Sequence, residues 1–131
     1  MDLICLDANV LFSASYSTSA KVRKLWDLPD TELVAAGYAL GECDRNIHDD
    51  TQRAELGRLM HSVRILDYPE SASLPAGVEL VEKDRPILLA AIHAGASHLL
   101  TGDSRHFGHL FSKRVSGVLI LPPAEYLRGR A

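Results

Sequence analysis

Apolar positions along this chain follow two rhythms. Residues 3–6, 33–36, 63–66, 97–101 and 118–121 are short, nearly continuous apolar runs, the mark of strands covered on both faces. Between them the apolar spacing widens to three and four, which reads as helix. A helical piece begins at Val10 to Phe12. Residues 20–27 turn Val22, Leu25 and Trp26 inward, with Ser17, Thr18 or Ser19 available as a cap. Residues 38–48 line up Leu40, Cys43 and Ile47, and residues 50–61 line up Ala54, Leu56, Leu59 and Met60. Residues 67–82 are rich in Pro, Ser and Gly and read as a loop with a short extended piece at 78–81. Residues 104–111 suit a short helix, and Pro122-Pro123 lead into a last one ending near Leu127.

The stretch KDRPILLAAIHAGASHLLTGD, residues 83–103, carries the most information. Ile87, Leu88, Ala90, Ala91, Ile92 and Ala94 make its helix apolar nearly all round, so the helix is buried. Gly95 ends it, and a short buried strand then runs to Gly102-Asp103. A helix of about twelve residues travels ~18 Å. A strand of about five residues returns most of that distance at ~3.3 Å per residue. Asp84 and Asp103 therefore meet at one edge of the sheet.

Strands alternating with helices predict an α/β fold with a mostly parallel sheet. In such sheets the strand C-termini and the following helix N-termini share the edge where ligands bind. Asp7 ends the first strand, Glu42 lies early in the helix after the second, Asp84 opens a helix, and Asp103 follows a later strand. Each acid alone has a plain explanation. Asp7, Asp84 and Asp103 stand where a helix cap is useful, and a lone Glu42 is a solvated helix position. Capping accounts for neither Glu42 nor the shared edge, and four crowded carboxylates repel unless a cation relieves them. Oxygen donors of this kind suit Mg²⁺ or Mn²⁺.

Lesser candidates surround these acids. Asn9 either orients a carboxylate or water at the site or steadies the turn, and Thr101 either points into the site or is an ordinary strand residue. His106 and His109 lack the further Cys or His of a zinc set and read as surface or supporting residues. Cys43 reads as core, since no His is placed as its base. Lys21, Arg23 and Lys24 form a solvated helix face that could also follow a phosphate backbone, while Tyr16 and Trp26 read as packing residues.

Composition narrows the partners. The 131 residues, 47% hydrophobic and 24% charged, make one domain over residues 1–131. A net charge of −3 gives no basic footprint, so nucleic acid must be held by a local patch or through metal. Two separated cysteines point to a reduced, cytoplasmic protein. The N-terminal apolar run is too short for a membrane span and lacks the basic flank of a signal peptide. An aspartyl-phosphate phosphatase would want an acid where Asn9 stands, and a receiver domain would want a better-placed lysine than Lys113.

The chain resembles the PIN domain family. CLDANVLFSA is similar to the first family motif, with Asp7 as its acid; the helix around Glu42 supplies the second acid. The 83–103 stretch resembles the long third motif, with Asp84 and then Thr101-Gly102-Asp103, and PAEYL resembles the close of a toxin subgroup. The resemblance implies a three-layer α/β/α sandwich and a metal-dependent ribonuclease. Asp7, Glu42, Asp84 and Asp103 would be its catalytic metal ligands, with Asn9 and Thr101 beside the cofactor, Mg²⁺ or Mn²⁺. It further implies an RNA substrate, a homodimer and a small antitoxin partner. A PIN-like binding module acting through a protein partner is the alternative. One departure stands out: many members carry another acid after the fourth, where SRHF offers Arg105 and His106.

Overall fold

The computed structural model describes residues 1–130. Its strands are β1 (Asp2–Leu6), β2 (Thr31–Ala36), β3 (Val63–Leu66), β4 (His98–Leu100), β5 (Arg114–Val115) and β6 (Val118–Leu121). Its α-helices are α1 (Ala8–Tyr16), α2 (Gly37–Arg45), α3 (Asp50–Met60), α4 (Arg85–His93), α5 (Ser104–Phe107) and α6 (Pro123–Arg128). The strands form one sheet in the order β3-β2-β1-β4-β6-β5. Every pairing is parallel except the edge pair of β5 with β6.

Successive residues Ile4, Cys5 and Leu6 in β1, and Leu33 to Ala36 in β2, are all buried, so both faces of the sheet are covered. This is the α/β architecture that the apolar runs predict. From β1 the chain steps outward to β2 and β3, then crosses back to β4 and on to β6. Right-handed crossovers in opposite directions place their helices on opposite faces. Accordingly α1 packs against α2 and α3, while α4 packs on β2. The reversal between β1 and β4 is a topological switch point, and the crevice at their C-terminal ends is where such sheets bind ligands.

Helix α4 is buried at Ile87, Leu88, Ala90 and Ala91, with Ile92 and Ala94 packed on the core. Gly95, at φ +69°, ends it in a Schellman motif: Ala96 N–H donates to Ala91 O at 2.9 Å and Gly95 N–H to Ile92 O at 3.0 Å. Nine helical residues and a three-residue strand thus bring Asp84 and Asp103 to one edge.

Three local expectations are corrected. Residues 20–27 are not a capped α-helix but a 3₁₀ segment, Lys21–Asp27, with no side-chain cap at Ala20. So short a piece gains little from helix propagation, and tertiary ties hold it instead. Leu25 is fully buried, Arg23 Nε donates to Ala14 O at 2.6 Å, and Arg23 pairs with Glu55 at 2.9 Å. That pairing also occupies the middle of the Lys21, Arg23, Lys24 cluster. The extended piece expected at 78–81 is loop. The third correction is β5, which the apolar pattern missed. Ser116 and Gly117 both have positive φ and make the two-residue turn that joins β5 to β6. The Ser-Gly pair was the available signal.

Candidate active site

Asp7, Glu42, Asp84 and Asp103 line one pocket of about 470 Å³, together with Asn9, Cys43, Asn46 and Lys83. The fold builds it from four directions. Asp7 is the first residue after β1, Glu42 lies on the second turn of α2, Asp84 closes a 3₁₀ turn (Glu82–Asp84) ahead of α4, and Asp103 precedes α5.

Asp7 is almost wholly buried and tightly held. Its Oδ1 accepts from Ala8 N–H at 2.7 Å, and its Oδ2 accepts from the Thr101 hydroxyl at 2.7 Å and from Asn9 Nδ2 at 3.3 Å. Burial is the main reason its carboxyl is pushed above the usual range. The Thr101 and Ala8 hydrogen bonds oppose that shift, and the charges of Asp84 and Glu42 add to it. Glu42 lines the same pocket as Asp7, whereas among the described residues the donor atoms grouped within 4.8 Å of one another are those of Asp84, Asp103 and His106.

Thr101 and Asn9 tie β1 to β4 across the switch point. Thr101 is fully buried, and its oxygen also accepts from Asn9 Nδ2 at 3.2 Å and from Asp103 N–H at 3.1 Å. Asn9 Oδ1 accepts from Gly102 N–H at 2.8 Å. A Cβ on Gly102 would stand 3.3 Å from that same Asn9 oxygen, so glycine allows the close approach. These two residues act on the site by positioning Asp7 and the 101–103 turn. Thr101→Val is expected to cost about 1–3 kcal/mol, because Asp7 Oδ2 loses its shorter hydrogen bond and Asn9 Nδ2 and Asp103 N–H lose an acceptor. Urea denaturation of this variant beside Thr101→Ser, which keeps the hydroxyl, checks the expectation.

The three candidate caps differ. Asp7 caps α1 through Ala8 N–H, and Asp103 Oδ1 caps α5 by accepting from His106 N–H at 3.1 Å. Asp84 makes no side-chain cap bond, so capping does not explain why it is buried. Its Oδ2 lies 2.7 Å from His106 Nδ1, and His106 Nδ1 lies 3.1 Å from Asp103 Oδ2. The short approach of Asp84 to His106 is not a hydrogen bond by geometry: both atoms are shut off from solvent without one. We read it as two polar atoms brought together and left unsatisfied.

His106 was read from the sequence as a surface or supporting residue; the structure puts it beside two site acids. The signal was its place three residues after Asp103, on the same turn of α5. Asn46 and Lys83 were missed altogether, although both line the pocket. Tyr16, expected to pack, is instead exposed and stacks on Phe12 with ring centroids 6.2 Å apart. Trp26 does pack, donating from Nε1 to Leu59 O at 3.0 Å.

Oxygen donors around a shared pocket, one of them buried without a partner, fit a hard divalent cation. A thiol nucleophile does not fit. Burial, then the charges of Asp44 and Glu42, push the Cys43 thiol up to about 11. At about pH 8, close to an exposed thiol's pKa, iodoacetamide is expected to alkylate the native protein far more slowly than the urea-unfolded chain.

No protein-family model and no curated protein matches this sequence. The fold is shared with a solved structure, VapBC2 from Rickettsia felis bound to a DNA fragment from its promoter. The match has a TM-score of 0.69 at 14% sequence identity and covers 92% of this chain and 98% of that one. At that identity the likeness establishes the fold alone, an α/β fold with a mostly parallel sheet, as anticipated from the alternation of strands and helices. Among the described residues no helix is long and apolar enough to cross a membrane.

Proposed function

We propose that this chain is a metal-dependent endoribonuclease, the toxin of a toxin–antitoxin pair, hydrolysing RNA phosphodiester bonds at the Asp7, Glu42, Asp84, Asp103 pocket. The observation that carries the reading is Asp84, a buried carboxylate that caps nothing, has an unpartnered oxygen, and shares a pocket with three other acids. The PIN-type fold, shared with a VapBC2 complex, supports the toxin assignment. A small antitoxin partner, homodimerisation and a cytoplasmic location belong to the same proposal.

Asp7, Glu42, Asp84 and Asp103 would hold Mg²⁺ or Mn²⁺, which when bound supplies an activated water and polarises the scissile phosphate. The chain's own residues do the rest. Thr101 and Asn9 fix the orientation of Asp7 by donating to its Oδ2, while Ala8 N–H holds its Oδ1. Lys83, among the described residues the one cation lining the pocket, would meet a phosphate oxygen, and Asn46 offers an amide beside Glu42. Hydrolysis by water needs no covalent nucleophile, in keeping with a Cys43 that stays protonated.

The test is cleavage of single-stranded RNA by the purified chain in Mg²⁺ or Mn²⁺, with and without EDTA. Cleavage that EDTA abolishes is the expected result. Intact RNA with folded protein in saturating Mn²⁺ would overturn the nuclease and leave the binding-module alternative; cleavage that survives EDTA would overturn the metal.

A further inference from the structure

Resting on the cation site proposed above, we propose that His106 is a nitrogen ligand of that site, and that it biases the chain away from Mg²⁺ toward transition-metal ions. The acids alone do not carry this; the His106 geometry does. One donor atom each from Asp84, Asp103 and His106 lie within 4.8 Å of one another. The Asp84 side chain is only 7% exposed, and its Oδ2 lies 2.7 Å from His106 Nδ1 without forming a hydrogen bond. His106 Nδ1 lies 3.1 Å from Asp103 Oδ2. Ligands at right angles around one ion, with bonds of ~2.1 Å, stand ~3.0 Å apart. The two separations match that spacing, and both unsatisfied atoms would gain a partner from one ion.

The backbone fixes the ring in this place. Asp103 Oδ1 holds the His106 N–H at 3.1 Å, which leaves Oδ2 of the same carboxylate turned to the ring. Phe107, fully buried, pins the short helix to the core. His109, by contrast, is directed away, with Nε2 2.7 Å from Glu79 O. The imidazole is therefore not a free surface group.

The chemical consequence follows from ligand type. Mg²⁺ favours all-oxygen surroundings and keeps its waters, whereas imidazole nitrogen suits later first-row ions, with affinity rising from Mn²⁺ to Co²⁺ and Ni²⁺. A carboxylate-only site also prefers those ions somewhat, so the informative quantity is how His106 changes the preference.

Isothermal titration of the intact chain with Mg²⁺, Mn²⁺ and Co²⁺ measures it, for wild type, His106→Ala and His106→Asp, each confirmed folded by circular dichroism. The expected result is a Kd ratio of Mg²⁺ to Co²⁺ that falls about tenfold or more in His106→Ala, the scale of losing a group that tunes a metal site. In His106→Asp, Mg²⁺ affinity should be restored while the ratio stays low. Unchanged ratios in both variants would overturn the assignment of His106 while leaving the cation site standing. Absence of binding of all three ions by the wild type would overturn the cation site itself, and with it the nuclease reading. If His106→Ala fails to fold, His106→Asp alone decides the same ratio.

Discussion

Mn²⁺ added to the metal-free protein is expected to raise its melting temperature by roughly ten degrees, and EDTA to reverse the rise. The reason lies in the crowding of acids at one edge of the sheet. Asp7 is buried, its carboxyl is pushed upward chiefly by loss of solvent, and Asp84 and Glu42 add like charge. For a carboxyl whose folded pKa is raised, the sign is unfavourable at neutral pH. Its stabilising contribution is complete below the ordinary carboxylate range and is lost as pH rises through the elevated folded value. A cation among these carboxylates favours their charged forms, and so works against the burial and like charge that push the Asp7 carboxyl up. Binding to the folded state alone contributes RT ln(1 + [L]/Kd), or roughly 2.7 kcal/mol at about a hundredfold excess over Kd. Differential scanning calorimetry in EDTA and in Mn²⁺ makes the comparison. Superimposable melts would remove the physical basis for a metal site.

Asp84→Asn is expected to lower RNA cleavage by about a hundredfold or more, since an ion ligand matters at least as much as the groups around it. The same variant should melt at the same temperature as wild type in EDTA, or higher. Most buried carboxylates do not behave this way, because they are held by hydrogen bonds that an amide disrupts. Asp84 has no cap bond to lose, its Oδ2 has no partner, and its charge works against Asp7. Asp7→Asn should differ. Both Asp7 oxygens accept hydrogen bonds, and the Thr101 oxygen already accepts from Asn9 and from Asp103 N–H. An amide nitrogen at position 7 would face either the Ala8 N–H or the Thr101 O–H, so Asp7→Asn should lose stability as well as cleavage. Thermal melts and single-turnover cleavage of both variants provide the test. An Asp84→Asn protein that unfolds several degrees early yet keeps its specific activity would show that Asp84 is structural.

What the sequence by itself determined is the part governed by local rules. Runs such as residues 33–36 and 118–121 can satisfy water-free surroundings only as covered strands, and β2 and β6 stand there. The apolar wrap of residues 87–94, closed by Gly95, dictates a buried helix and its stop, and hence the distance between Asp84 and Asp103. The α/β architecture was legible for the same reason, since the apolar runs and the wider-spaced stretches between them mark strands and helices in alternation. Local rules did not decide what a side chain meets once the chain has folded. Asp7, Asp84 and Asp103 look alike as helix caps in sequence, yet only Asp7 and Asp103 cap, because the 3₁₀ turn at Glu82–Asp84 takes Asp84 into the helical region and turns its carboxylate to the pocket. Thr101 holding Asp7 spans 94 positions and exists only because β1 and β4 are neighbours. His106 was unremarkable as one of six histidines. Its place beside Asp84 depends on α5 folding back at the switch point, a tertiary event that no window of neighbouring residues encodes.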